Sequence, residues 1–235
     1  MDAVNTPAHP TSTLIIRHLG LQAYPAVLQA MQTFTKTRTP HTLDELWLLE
    51  HPSVYTLGRN AKPEHLLNTG KIPVIPIDRG GQVTYHGEGQ LIIYTLLNLK
   101  RLGLGVKQLV NLLEQSVIQL LAAHQITAYA KPDAPGVYIK IDHIEKKIAA
   151  LGLRVSRGCT YHGLSINVQM DLAPFLGINP CGYANLAVTQ CHELGIRVTT
   201  SQLAEQLIPY LTMLLGFPPS ALSHEHQPHP LLPQP

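Results

Sequence analysis

The sequence predicts an α/β fold, a mixed sheet with helices packed on it, and three observations carry that expectation. Strand-like runs arrive in pairs or longer sets, so the chain lacks a regular βαβ alternation. Two segments, one from Val106 and one after Ser201, step their apolar residues by three and four, the period of a helix with one buried face. Three stretches between Val137 and Met170, separated by polar or glycine-containing turns, read as a meander.

In chain order, Leu14 to Leu19 is a short apolar run that suits a strand, and Pro25 opens a helix whose Val27, Ala30, Met31 and Phe34 share a face. Leu46 to Glu50 is a strand that stops at His51-Pro52, because the residue before proline is driven to extended geometry and proline donates nothing to a ladder. Val54 to Leu57 is a candidate to resume it. Two prolines make Ile72 to Ile77 an edge strand or an extended loop, whereas Gln90 to Leu99 has the composition of a buried strand. The helix from Val106 directs Leu109, Val110, Leu113, Val117, Leu120 and Leu121 to one face. In the meander of Val137 to Ile141, Lys147 to Val155 and Cys159 to Met170, Leu164, Ile166 and Val168 point to a core and Ser165, Asn167 and Gln169 form a polar face. Ser201 is the expected N-cap of the last helix, with Leu203, Leu207, Leu211 and Leu214 on one face, Pro209 as a kink and Gly216 as its stop. Residues 1–12 and 218–235 show no period and read as disordered tails, leaving 13–217 as a single domain.

Composition narrows the function classes. A chain of 235 residues can bury a core without disulfides or a structural metal. Its 3 cysteines, an odd number without a secretory pattern ahead of them, read as free thiols in a reducing cytoplasm. No apolar run approaches the roughly 20 residues of a membrane span. A net charge of +2 and a pI near 8.4 are too mild for a phosphate-backbone binder, so neither membrane nor nucleic acid is expected as a partner.

Four segments could carry chemistry. Asp78 to Gln90 holds four glycines with Arg79, Tyr85 and His86 between them, and glycine lets backbone approach a ligand closely, so this segment reads as a binding loop. It is not a nucleotide loop, since Gly-Lys-Ser/Thr occurs nowhere in the chain, and Gly103-Leu104-Gly105 lacks the third glycine of a dinucleotide fingerprint. Cys181 lies between Pro180 and Gly182, which restrict the backbone and remove bulk beside the sulfur; an exposed nucleophile and a structural thiol fit this segment equally well. A nucleophilic thiol would need a cation or base nearby, because a free cysteine is only a few per cent thiolate at neutral pH. Lys146 reads as a solvated edge charge, while Lys147 abuts an apolar run that would desolvate its ammonium and make it a candidate base. Cys159 and His162 have a C-x-x-H spacing that Cys191-His192 completes poorly, so these residues read as one wall of a pocket and no metal is expected.

Taken together, RGGQVTYHGEGQL, KIAALGLRV, RGCTYHGLSINV and INPCGY, in this order and at these separations, resemble the lipoyl(octanoyl) transferase family over roughly residues 14 to 216. The resemblance implies a catalytic domain like that of lipoate ligases and biotin protein ligases, and transfer of an octanoyl group from octanoyl-acyl carrier protein to a lysine of a lipoyl domain. The acceptors it implies are lipoyl domains of 2-oxoacid dehydrogenase E2 subunits and the glycine cleavage H protein, and it calls for no cofactor. By the same resemblance Cys181 matches the acyl-thioester nucleophile and Lys147 the lysine that keeps it ionised. Arg79, Gly80, Gly81, Gln82, Val83, Thr84, Tyr85 and His86 match segments that line the acyl substrate, as do Ala150, Leu151 and Gly152 and also Gly163, Leu164 and Ser165. An ATP-dependent ligase of the same fold and a non-catalytic acyl-binding module are the rival readings. Arg59, Lys62, Lys100, Arg101, Arg154 and Arg157 are basic candidates for docking acidic carrier domains, and plain surface charge is an equal alternative for each.

Overall fold

The computed structural model describes residues 13–184 and 186–226. The tail expected at 1–12 and the last part of the one expected at 218–235 lie outside the described residues. In order the elements are β1 (Leu14–Leu21), α1 (Tyr24–Thr37), β2 (Asp44–Glu50), β3 (Val54–Leu57), β4 (Val74–Pro76), β5 (Val83–His86) and β6 (Gln90–Leu96). There follow α2 (Leu99–Leu102), α3 (Val106–Ala123), β7 (Ala128–Ala130), β8 (Gly136–Ile141), β9 (Ile144–Ser156), β10 (Cys159–Asn167), β11 (Ala187–Val188), α4 (Thr200–Leu214) and β12 (Leu222–His226).

Among the described residues the larger sheet has nine strands in the order β12-β1-β2-β6-β10-β9-β8-β7, with β11 alongside β9. The β12–β1, β1–β2 and β11–β9 pairs are parallel and the others antiparallel, so the sheet is mixed. Both of its faces are covered, which explains the unbroken apolar runs of β2 and β6. Leu46 and Leu48 of β2, with Leu91 and Ile93 of β6, join the core under α3 and α4, while Trp47, Leu49, Ile92 and Tyr94 pack with Val27 and Met31 of α1. A second sheet, β4-β3-β5, has its own small core of Tyr55, Val83, Tyr85, Phe175 and Ile178.

Four sequence expectations change. Val54 to Leu57 does not resume β2; the chain turns at Pro52 and starts the smaller sheet. The final helix is capped by Thr199, not Ser201: the Thr199 hydroxyl accepts from the Gln202 N–H at 3.2 Å and the Gln202 side chain accepts from the Thr199 N–H at 2.9 Å. The polar face expected at Ser165, Asn167 and Gln169 divides: Ser165 and Asn167 are buried on β10, while Gln169 lies beyond the end of the strand and is exposed. The tail expected from 218 is structured up to His226. Its β12 pairs with β1, Leu222 packs against the core, and Arg17 bonds both Glu45, at 2.6 Å, and Glu225.

Candidate active site

Two departures from regular backbone assemble the site. Across β8 and β9, Val137 faces Ala149 but Tyr138 faces Lys147, so Ile148 is the extra residue of a β-bulge. Ile148 and Ala149 both enter the core, and the phase reversal turns Lys147 away from it. Strict alternation would have put Lys147 on the same face as Ala149. The second departure is at Cys181, whose φ of 57° and ψ of 15° lie in the left-handed region that a non-glycine residue rarely adopts. The loop is pinned on both sides of the cysteine. Ahead of it the Asn179 N–H donates to His65 O at 2.9 Å, and behind it β11 pairs with β9 at Lys146 and Lys147.

The result is a direct contact: Lys147 Nζ stands 3.1 Å from Cys181 Sγ and donates to Pro135 O at 2.9 Å. Nζ also lies 5.1 Å from the centre of the Tyr138 ring, whose face attracts an ammonium. Lys147 is 4% exposed, whereas Cys181 is half-buried. Gly182, with a φ of 82°, continues the turn, and a Cβ there would crowd the Gln82 side chain at 3.0 Å.

Behind the pair lies a cavity of about 380 Å³. Arg79, Gly80, Gly81, Gln82, Val83, Thr84 and His86 line it, with Ala150, Leu151, Gly152, Gly163, Leu164 and Ser165. Tyr85 is the one residue of the 79–86 set that is not brought there. It turns into the smaller core against Tyr55 and Phe175, and its hydroxyl meets Ser53 Oγ at 2.9 Å. His162, read from the sequence as part of a pocket wall, lines the cavity, and so do Tyr24 and Tyr94, which carried no site signal in the sequence. His162 has a φ of 61° in mid-strand, which breaks alternation so that it and Tyr161 both reach Asp78.

Charge in this cavity is sparse. The Arg79 guanidinium is buried and bonded to Gly80 O at 2.9 Å and to the Thr56 carbonyl and hydroxyl at 3.1 and 2.9 Å, with no carboxylate partner among the described residues. Burial lowers its proton affinity without discharging it. Burial also holds the nearby imidazoles neutral, His51 at about 4 and His86 at about 3. A directional chain assigns the His86 tautomer. The Thr189 carbonyl can only accept, so Asn167 Nδ2 donates to it at 2.9 Å, Gln90 Nε2 donates to Asn167 Oδ1 at 2.9 Å, and His86 Nδ1–H donates to Gln90 Oε1 at 2.7 Å. His86 Nε2 is thereby left as an acceptor.

The other two cysteines are structural. Cys191 is in the main core, where burial pushes its thiol up to about 12, and Cys159 is buried at the start of β10. Of the basic docking candidates, Arg101 bonds Asp44 at 2.7 Å, Arg157 bonds Thr35 O at 3.0 Å, and Arg154 stands 3.9 Å from Asp78. Arg59, Lys62 and Lys100 are exposed, Lys62 with Glu64 at 3.6 Å.

Comparison with known proteins places the family and the fold. A family profile for the lipoyl protein ligase A/B catalytic domain matches residues 23–212. The chain is 57% identical over 206 residues to the octanoyltransferase of Shewanella oneidensis, covering 88% of this chain and 93% of that one. It is 55% identical over 205 residues to that of Shewanella frigidimarina, with 87% and 93% covered. Among solved structures, the bi-partite lipoate protein ligase of Thermoplasma acidophilum superposes with a TM-score of 0.73 at 14% identity, over 95% of this chain and 89% of that one. A biotin protein ligase from Aquifex aeolicus superposes with 0.51 at 16% identity, over 86% and 69%. At these identities the solved structures share the fold.

Proposed function

The chain belongs to the lipoyl protein ligase A/B catalytic-domain family and within it to the octanoyltransferases, and from that premise we propose that Cys181 carries the octanoyl group between donor and acceptor. The observation that carries the proposal is the 3.1 Å contact of Lys147 Nζ with Cys181 Sγ at the edge of the cavity. The donor is octanoyl-acyl carrier protein, and the acceptors are lysines of lipoyl domains of E2 subunits and of the glycine cleavage H protein. The enzyme works in the cytoplasm, in keeping with free cysteines and the lack of a membrane-spanning helix among the described residues.

In the first half-reaction Cys181 attacks the carbonyl carbon of the donor thioester as thiolate, with its charge opposed by the Lys147 ammonium. A new C–S bond forms, the carrier's C–S bond breaks, and the departing carrier sulfur takes its proton from the Lys147 ammonium, so that one thioester replaces another and Lys147 is left neutral. In the second half the amine of the incoming lysine attacks the Cys181 thioester. The C–N bond forms, the C–S bond breaks, and the proton shed by the amine passes to a neutral Lys147 Nζ. Buried Arg79 adds positive potential near Cys181. Burial of about six methylenes of the chain in the cavity contributes about 5 kcal/mol, enough to prefer eight carbons to four.

The test is transfer by the Cys181→Ala protein. It is expected to leave the acceptor domain unmodified by octanoyl-acyl carrier protein, and the unsubstituted enzyme is expected to be inactive with free octanoate and ATP. Normal transfer by Cys181→Ala would overturn the covalent route, and efficient use of octanoate with ATP would make the protein a ligase.

A further inference from the structure

We propose that Glu114 is a positioning residue that acts on Lys147 through the peptide unit joining Pro135 to Gly136. The inference rests on the Cys181–Lys147 reading of the site. Glu114 lies on α3, on the stripe that holds Val110, Val117 and Leu121, and is only 7% exposed. Its Oε1 accepts the Gly136 N–H at 2.8 Å, while the carbonyl of that same peptide unit, Pro135 O, accepts from Lys147 Nζ at 2.9 Å. Carboxylate, peptide, ammonium and thiol thus form one chain whose last link is the 3.1 Å contact with Cys181.

The coupling is physical. An N–H drawn toward a carboxylate leaves more negative charge on its own carbonyl oxygen, and that oxygen holds an ammonium more firmly. The arrangement parallels a catalytic triad, where a buried carboxylate orients the base and stabilises its charged form without touching substrate. Gly136 makes the close passage feasible, since a Cβ there would stand 2.3 Å from Lys147 Cε and 2.8 Å from Ala149 O. Burial makes Glu114 harder to ionise, and the Gly136 N–H and the Lys147 charge oppose that effect. Other titratable or charged groups around the pair are Tyr138, Tyr183 and, farther off, Arg79, Lys131 and Glu145.

The acyl-enzyme isolates the effect. Once Cys181 is a thioester its sulfur no longer titrates, so the acid limb of transfer to the acceptor amine follows protonation of Lys147 and of the incoming lysine, the latter being identical in every variant. Octanoyl-enzyme is mixed with a lipoyl domain in single turnover across pH, using unsubstituted protein, Glu114→Gln, Glu114→Asp and Lys147→Ala. Glu114→Gln keeps an oxygen for the Gly136 N–H and removes the charge, so its acid limb should move about one pH unit lower. Glu114→Asp, which keeps the charge, should restore much of the original position. In a Lys147→Ala background Glu114→Gln should change the rate less than about twofold, since a residue acting through another has no independent effect. A limb that stays in place in Glu114→Gln, or a Glu114→Asp protein shifted as far as Glu114→Gln, would overturn this role and leave the Cys181–Lys147 pair standing. A Lys147→Ala enzyme as fast as the unsubstituted one would overturn the pair itself.

Discussion

The two faces of β9 and β10 are built on opposite principles. Toward α3 and α4 they present Ile148, Ala149, Leu164 and Ile166 to a continuous aliphatic core. Toward the smaller sheet they present Lys147, Ser165 and Asn167, joined by Arg79, His86 and Gln90, all of them buried. The first face is held by area, which is non-directional and tolerates local adjustment. The second bears the cost of burying polar groups and offsets it only through directed bonds, from Thr189 O to His86 on one side and from Pro135 O to Cys181 on the other. The contrast implies that stability and the chemistry at Cys181 are separable properties, although Leu164 of the first face also lines the cavity.

The sharpest way to break that separation is Lys147→Met, which keeps the length of the side chain and deletes its charge. Transfer at pH 7 should fall about 10²- to 10⁴-fold, while the unfolding midpoint stays equal or rises, because an apolar replacement removes a buried charge. The converse is Leu113→Ala on α3, fully buried in the aliphatic core. It should lose about 2–5 kcal/mol in urea unfolding and keep its rate per folded molecule. Loss of rate in the folded Leu113→Ala protein, or collapse of Lys147→Met, would show that the faces are coupled.

A smaller effect concerns pH. His51 and His86 are held neutral by burial at about 4 and about 3, below the ordinary 6.5. The unfolded chain therefore takes up protons that the folded protein refuses. Their contribution is complete above about pH 6.5 and is lost as pH falls through the folded values. His51 alone accounts for about 3 kcal/mol, so urea midpoints should drop between pH 7 and 4, and His51→Gln should flatten that slope.

What the sequence made legible follows the same division. Periodicity located α3, α4 and the meander because aliphatic burial repeats at fixed spacing. The site motifs were legible as glycine-rich segments with Cys181 and Lys147 beside them. Illegible were the features that depend on partners distant in the chain. Tyr85 leaves the cavity because β3 and Phe175 wait for it, and the bulge at Ile148 shows only in its pairing with β8. Glu114 did leave a signal, a carboxylate on an apolar helical stripe, but its meaning depends on where Gly136 lies. The strand at Leu222–His226 was hidden because its polar sequence is ordered by β1 and by Arg17.

The most direct test of the account is the intact mass of the enzyme after exposure to octanoyl-acyl carrier protein without an acceptor domain. One octanoyl adduct is expected, placed on Cys181, released by hydroxylamine and absent from Cys181→Ala. An unmodified mass from an enzyme that nevertheless transfers when acceptor is added, or an adduct that survives hydroxylamine, would contradict it.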